Sequence, residues 1–347
     1  MFRQVMQSVM LLVLLVQVAP AAVILMYHHV DATTPAATSV TPEQFAEHLD
    51  RLQQEGFTVL RLDALIEAVK QGADARDKLV AITFDDAYKS IYEVGLPLLE
   101  AKDWQGTVFV NAGGVDRGGR AMTTEMITDM HRRGHLVLNH SVSHPHMVRR
   151  QSGESEAQWR DRIRSEIEQA QQAIEGWTGA EALPWLAYPY GEQDAALRQL
   201  LIDMGYLGFG QQSGALDAAV DWQNIPRIPV NRHQASWSSL RDKVLALPFP
   251  VIETIPADGV TVSARPSLTL MLEGDWRRRG VQCFIGSQVV SPAMTLERGI
   301  TRLVIDAPSA IPVGRSRYNC TASAGEGRFH WYSWVWMRRT AEGWYAE

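Results

Sequence analysis

The stretch "KLVAITFDD", residues 78–86, sets a nearly unbroken apolar run, Leu79 to Phe84, ahead of two adjacent carboxylates, Asp85 and Asp86. A short apolar run bounded by charge reads as a strand buried on both faces, the kind found in parallel sheets covered by helices. The two acids then stand at its C-terminal end. Side by side, each raises the pKa of the other unless a cation or hydrogen bonds compensate. A solvated strand-to-helix turn with Asp as the cap is the ordinary alternative, so the rest of the chain has to decide.

Outward from that stretch, strands and helices alternate from Val23 to about Leu245. "VILMYHHV" (23–30) is an apolar strand. In "TPEQFAEHLDRLQQEG" (41–56), Thr41 is an N-cap, Pro42 takes the first helical position, Gln44 completes a capping box and Gly56 stops the helix. Phe45, Leu49 and Leu52 share one face as a core stripe. Strands at "GTVFVN" (106–111), at the start of "HLVLNHSVSH" (135–144), and in "PWLAYPYG" (184–191), "YLGFG" (206–210) and "IPRIPV" (225–230) alternate with helical segments. The longest of these, "ESEAQWRDRIRSEIEQAQQAIEGW" (154–177), is amphipathic. About seven such strands predict an α/β fold, a closed or nearly closed β/α barrel, with an open doubly wound sheet as the alternative. Either places the chemistry at the C-terminal strand ends.

Helical periodicity ceases after Leu247-Pro248-Phe249-Pro250. Short alternating stretches between Gly and Pro turns, such as "VTVSARPSLTLML" (260–272) and "TRLVIDAP" (301–308), predict a small all-β sandwich. At the other end, Arg3, the apolar Val9–Val16 and the small-x-small Ala19-Pro20-Ala21 form a signal-peptide pattern with cleavage before Ala22; an uncleaved membrane anchor is the alternative. The expected organisation is a signal peptide over 1–21, a catalytic domain over 22–247 and a β-sandwich over 253–347. Export to the periplasm or medium follows, and in that setting Cys283 and Cys320, the two cysteines of the chain, are expected to form a disulfide. Net charge is −6 over 347 residues, and no basic run is interleaved with aromatics, so nucleic acid is not an expected partner. Nothing in the sequence names a membrane or export-machinery partner.

In "GHLVLNHSVSHPHM" (134–147), His140 and His144 lie four apart and can reach one metal ion from a turn. A carboxylate from a neighbouring strand end would complete the set. His135 and His146 lie nearby without sharing that spacing. "TFDD", then "HSVSHP", then "YPYG" resembles the polysaccharide deacetylase family (carbohydrate esterase family 4, NodB-homology domain) over roughly Val23 to Leu245. "MYHHV" and "AYPYG" resemble its poly-β-1,6-N-acetylglucosamine deacetylase branch. The resemblance implies a distorted (β/α) barrel, Asp85 as general base, and Asp86, His140 and His144 as ligands of one divalent metal, usually zinc. It also implies that the backbone N–H of Tyr190 holds the tetrahedral oxyanion. Tyr188 and Trp185 are expected to line the sugar groove.

Two departures stand out. The family's Arg of the third motif is Ala187 here, and Arg227, grouped with the substrate-binding residues, is the candidate to reach the catalytic carboxylate from another strand. The usual late Leu-x-His is missing, and His28, ahead of His29 and His233, is the candidate acid. Trp331, Trp334 and Trp336, with Tyr332, form a candidate sugar-stacking face, against the alternative of core packing. The expected function is metal-dependent removal of acetyl groups, chiefly N-acetyl groups of hexosamines, from an exported polysaccharide. Peptidoglycan or chitin oligomers are alternative substrates, and a non-catalytic glycan binder on a decayed barrel is the rival class.

Overall fold

The computed structural model describes residues 22–72 and 78–345; the expected signal segment lies outside them. The opening stretch forms the strand Leu79–Asp85, buried along its whole length. Ala22–Tyr27 lies parallel to it on one side, with Val23 opposite Val80 and Tyr27 opposite Phe84. The order across the parallel sheet is Ile228–Pro229, Ala22–Tyr27, Leu79–Asp85, Thr107–Val110, Leu136–Asn139, Trp185–Ala187, Leu207–Phe209, with Thr58–Val59 added beside Leu79–Asp85. A parallel bridge between Phe209 and Ile225 ties the last strand to the chain entering the first position of that order. The sheet therefore curls back on itself as a distorted barrel and is not an open doubly wound sheet.

Period-two alternation divides the strands between two cores. Ile24, Ala81, Phe109, Leu138, Ala187 and Phe209 fill the inside of the curl. Val23, Leu25, Val80, Ile82 and Val108 face outward to the covering helices. The helix Pro42–Gln54 begins with the expected Thr41–Gln44 capping box and buries Phe45, Leu49 and Leu52. A helix not anticipated from the sequence, Leu62–Lys70, packs Leu62, Leu65, Ile66 and Val69 beside Ala22 and Leu79, at the strand starts. Burying each such side chain contributes about 1.5–3 kcal/mol. Among the described residues, no helix is long and apolar enough to cross a membrane.

After the helix Trp237–Val244 the chain enters two sheets, antiparallel except where the short edge strand Val260–Thr261 runs parallel to Arg328–Arg338. One orders Val251–Ile255, Ser267–Glu273, Ile300–Asp306, Ala293–Glu297; the other orders Val260–Thr261, Arg328–Arg338, Gly314–Gly325, Gln282–Ile285, Gln288–Val290. Leu268, Leu270, Leu303 and Ile305 from the first meet Tyr318, Trp334 and Trp336 from the second, so the pair is a sandwich around one core. Cys283 and Cys320 are disulfide-bonded and stand directly opposite each other on adjacent strands. Trp334 and Trp336 are 6% and 1% exposed inside this core, which removes them from the expected stacking face. A sandwich this small needs large aromatics to fill its interior. The outer face of the five-stranded sheet packs Val335 and Met337 against Met147, Val148 and Trp159 of the barrel.

Candidate active site

The alternation that fills the curl also delivers the chemistry. From Ala81 through Thr83 the inward parity reaches Asp85; two residues beyond Phe109 it reaches Asn111, and two beyond Leu138 it reaches His140. The same parity runs from Ile24 and Met26 to His28, one residue past its strand. All four arrive at the C-terminal rim.

Asp85 is fully buried and its partner is Arg227, also fully buried. Nη1 and Nη2 donate to the two carboxylate oxygens at 2.6 and 2.7 Å, and Nε donates to the Gly210 carbonyl at 2.8 Å. The guanidinium also lies over the Phe109 ring, 5.1 Å from its centre. Burial alone would raise the Asp85 pKa; the Arg227 charge, with His140, the paired hydrogen bonds and His28, outweighs it and holds the carboxyl at about 2. Arg227 thus braces the acid from a different strand, where the family places an Arg at position 187. It does not reach the surface, so its grouping with substrate-binding residues is corrected.

Asp86 turns away from its neighbour through φ 65°, and one of its oxygens lies 3.7 Å from His140 Nε2 and 3.6 Å from His144 Nε2. One ligand atom from each of the three falls within 4.8 Å of the others. His140 Nδ1 is 2.8 Å from the Ala187 carbonyl, which accepts only from an N–H and so fixes that nitrogen as the donor. The bare Nε2 is buried with no hydrogen-bond partner among the described residues. An orphaned imidazole nitrogen is costly in a protein interior and is the atom a metal takes. The donor set therefore fits a divalent ion. Burial, then the adjacent His140, pushes the His144 pKa down to about 4, leaving a neutral ligand at ordinary pH.

The loop between the two histidines is held from outside the motif. Asn139 donates to the Ile167 carbonyl at 2.8 Å and accepts from the Ser141 N–H at 2.8 Å. Glu166, on the long helix Glu156–Thr178, accepts from the N–H groups of Val142 and Ser143 at 3.1 and 2.9 Å and from the Ser143 hydroxyl at 2.8 Å. Ser141 and His144 take φ of 66° and 55°, and Tyr190 takes 60°. Such conformations cost about 1–3 kcal/mol each and cluster at functional sites. Gly191, at φ 67°, follows Tyr190, and a Cβ there would fall 2.6 Å from the Cβ of Gln211.

A cavity of about 510 Å³ opens at these groups, lined among others by His28, Asp86, Tyr88, Asn111, His144 and Tyr190. The Tyr190 ring stacks on His146 with centres 4.1 Å apart, and His146 Nδ1 meets the buried Glu192 at 2.8 Å. His233 is exposed and outside this lining. Tyr188 and Trp185 are also outside it, which corrects their assignment to the groove. Tyr188 has the outward parity, is fully buried and donates to the Gln223 carbonyl at 2.6 Å; Trp185 packs on Phe209 inside the curl, one step short of the rim. His135, between Glu100 at 2.7 Å and the Gly106 N–H at 3.0 Å, is a satisfied structural histidine.

Residues 72–209 match the family model described as polysaccharide deacetylase. YxkH of Bacillus subtilis, assigned as a polysaccharide deacetylase, is 26% identical over 121 residues; the match spans 35% of this chain and 42% of YxkH, less than half the length of that curated relative. Among solved structures, the Streptococcus pyogenes deacetylase PplD is 23% identical with a TM-score of 0.57, covering 65% of this chain and 99% of that one. IcaB from Ammonifex degensii is 22% identical with a TM-score of 0.55, covering 66% and 98%. The BpsB deacetylase domain from Bordetella bronchiseptica is 22% identical with a TM-score of 0.53, covering 60% and 96%. The structural likenesses establish the shared fold, and the family match identifies residues 72–209 as a polysaccharide deacetylase domain.

Proposed function

We propose that the protein is a metal-dependent deacetylase that hydrolyses N-acetyl groups of hexosamines on an exported polysaccharide. The observation that carries this reading is the buried His140 Nε2, which has no hydrogen-bond partner among the described residues and lies beside Asp86 and His144. These three residues would hold one divalent ion, zinc by the ligand chemistry. Bound there, the ion supplies Lewis acidity toward the acetyl carbonyl and toward water. Asp85, ionised and aimed by Arg227, accepts the proton of the attacking water. The backbone N–H of Tyr190 donates to the developing oxyanion. His28, in the same cavity, gives the departing amine its proton. Export is supported by the N-terminal signal pattern and by the disulfide, which belongs to oxidising compartments.

Acetate release by the purified chain, with and without added zinc, across acetylated poly-β-1,6-glucosamine, chitin and peptidoglycan oligomers tests the reading. Bound metal without acetate release from any of them would favour the glycan-binding alternative. His28→Ala is expected to lower kcat by roughly 10²–10⁴-fold and remove the alkaline limb of the pH–rate profile with metal retained, whereas His233→Ala should be near normal. Equal turnover in both variants would reject His28 as the acid.

A further inference from the structure

Two side chains of the sandwich reach the barrel's cavity. On the strand Gly314–Gly325, Tyr318, Cys320 and Ala322 turn into the sandwich core. Alternation puts Arg315 and Arg317 on the opposite face. They stand across from Met337 and Val335, whose side chains pack on the barrel. Both arginines line the cavity that holds His28, Asp86 and His144, and no other Lys or Arg is among its described lining residues.

Their partners differ. Arg315 donates to the Tyr190 carbonyl at 3.2 Å, lies over the Tyr190 ring and sits 3.9 Å from Glu192. Arg317 donates to the Gln211 carbonyl at 3.2 Å and has no ion pair with a carboxylate among the described residues. The side chain reaches solvent, yet partial desolvation of its guanidinium and then the Arg315 charge lower its pKa. Burial, and then the Arg317 charge, lowers the pKa of Lys243 on the helix Trp237–Val244. Arg315 and Arg317 line one cavity, where like charges repel, and a planar guanidinium at a cavity mouth is shaped for a carboxylate or phosphate.

We propose that Arg317, with Arg315 beside it, forms a subsite for an anionic substituent of the glycan, a carboxylate or a phosphate on a sugar near the one being deacetylated. The inference rests on the deacetylase reading and adds the substrate class: an acetylated polysaccharide that carries negative charge. The sandwich then supplies specificity to a site whose reacting groups all come from the barrel.

The test uses the full chain loaded with zinc and three tetrasaccharides. One is neutral (N-acetylglucosamine alone), one alternates N-acetylglucosamine with glucuronate, and one carries 6-phosphate on N-acetylglucosamine. Acetate release gives kcat/KM, and calorimetric titration gives affinity. At least one anionic oligomer should exceed the neutral one by tenfold or more in kcat/KM, through KM, with the advantage shrinking as salt rises; the better of the two identifies the anion. Arg317→Gln should bring the ratio close to one, and Arg317→Lys should retain part of it. If the Gln variant fails to fold, the Lys variant and the salt dependence decide. Equal kcat/KM for all three oligomers, or an unchanged ratio in a folded, metal-loaded Arg317→Gln, overturns the proposal. If no oligomer releases acetate, the deacetylase reading falls while calorimetry still judges the subsite. Tighter binding of an anionic oligomer that Arg317→Gln abolishes upholds it, and equal binding rejects it.

Discussion

At the rim of the curled sheet, Asp85 and Arg227 are buried as a charged pair, and Asp86, Ser141, His144 and Tyr190 all hold positive φ. In the sandwich, the buried set includes Leu268, Leu270, Leu303, Ile305, Tyr318 and Trp336 and is closed by a disulfide between neighbouring strands. The first arrangement costs stability and the second provides it. A buried ion pair is on balance close to neutral against apolar packing of the same volume, and strained backbone persists only where the surroundings over-determine it. The rim is therefore held by what surrounds it: the filled curl, the long helix through Glu166, and the sandwich through Arg315.

The largest effects are expected where the rim loses a reacting group. Asp85→Asn should retain bound zinc and lose roughly 10²–10⁴-fold in kcat for acetate release. Asp86→Asn should lose the metal as well, as read by elemental analysis, and chelation of the wild type should reproduce its inactivity until zinc is restored. Equal zinc retention in both variants would overturn the assignment of roles within the pair.

Next comes the ion pair beneath them. Arg227→Met leaves a carboxylate buried without its cation, and denaturant unfolding should show a loss of about 3–5 kcal/mol. Adding Asp85→Asn to it should recover most of that loss, because the stranded charge is then gone. A double variant no more stable than Arg227→Met would show that the guanidinium acts by packing on Phe109 and not by pairing.

This pair marks where the sequence was legible and where it was not. The strands were readable because both faces of a parallel sheet are buried, which makes their apolar runs continuous. The candidate ligands were readable because "FDD" and "HSVSH" keep them within a few residues of strand ends. That Arg227 would reach Asp85 was open to inference only because position 187 lacked its arginine; the contact spans 142 residues and leaves no local pattern. Glu166 and Arg317 leave none either, since each meets the site through a distant element. Tyr188 and Trp185 were misassigned because proximity to "YPYG" said nothing about parity or depth. One faces outward, and the other faces inward too near the strand start.

In the sandwich, the disulfide should matter less than the ion pair does at the rim. Reducing Cys283–Cys320, or replacing both by Ala, should lower the stability of the two-sheet unit by about 2–4 kcal/mol. Zinc affinity should not change, because the candidate ligands Asp86, His140 and His144 all belong to the barrel. A parallel loss of zinc affinity would show that the sandwich holds the metal loop and not only the cavity mouth.

The smallest effect tests how the rim is held. Glu166 binds the loop between His140 and His144 through two N–H groups and a hydroxyl, so its carboxylate sets where His144 stands without touching the metal site itself. Glu166→Gln keeps the shape and one acceptor oxygen but gives up the charge and the second acceptor. Loss of such an outer partner typically costs 10–100-fold in metal affinity, and a substitution this conservative should fall near tenfold. Chelator competition measures it directly. Unfolding of the metal-free protein should change by less than about 1 kcal/mol, since the bonds lost lie at a half-exposed loop where water replaces them. Zinc affinity equal to the wild type would mean that Asn139 and the Ser141 turn position His144 unaided. A large fall in metal-free stability would instead make Glu166 part of the general fold and erase the contrast between a rim held for chemistry and an interior held for stability.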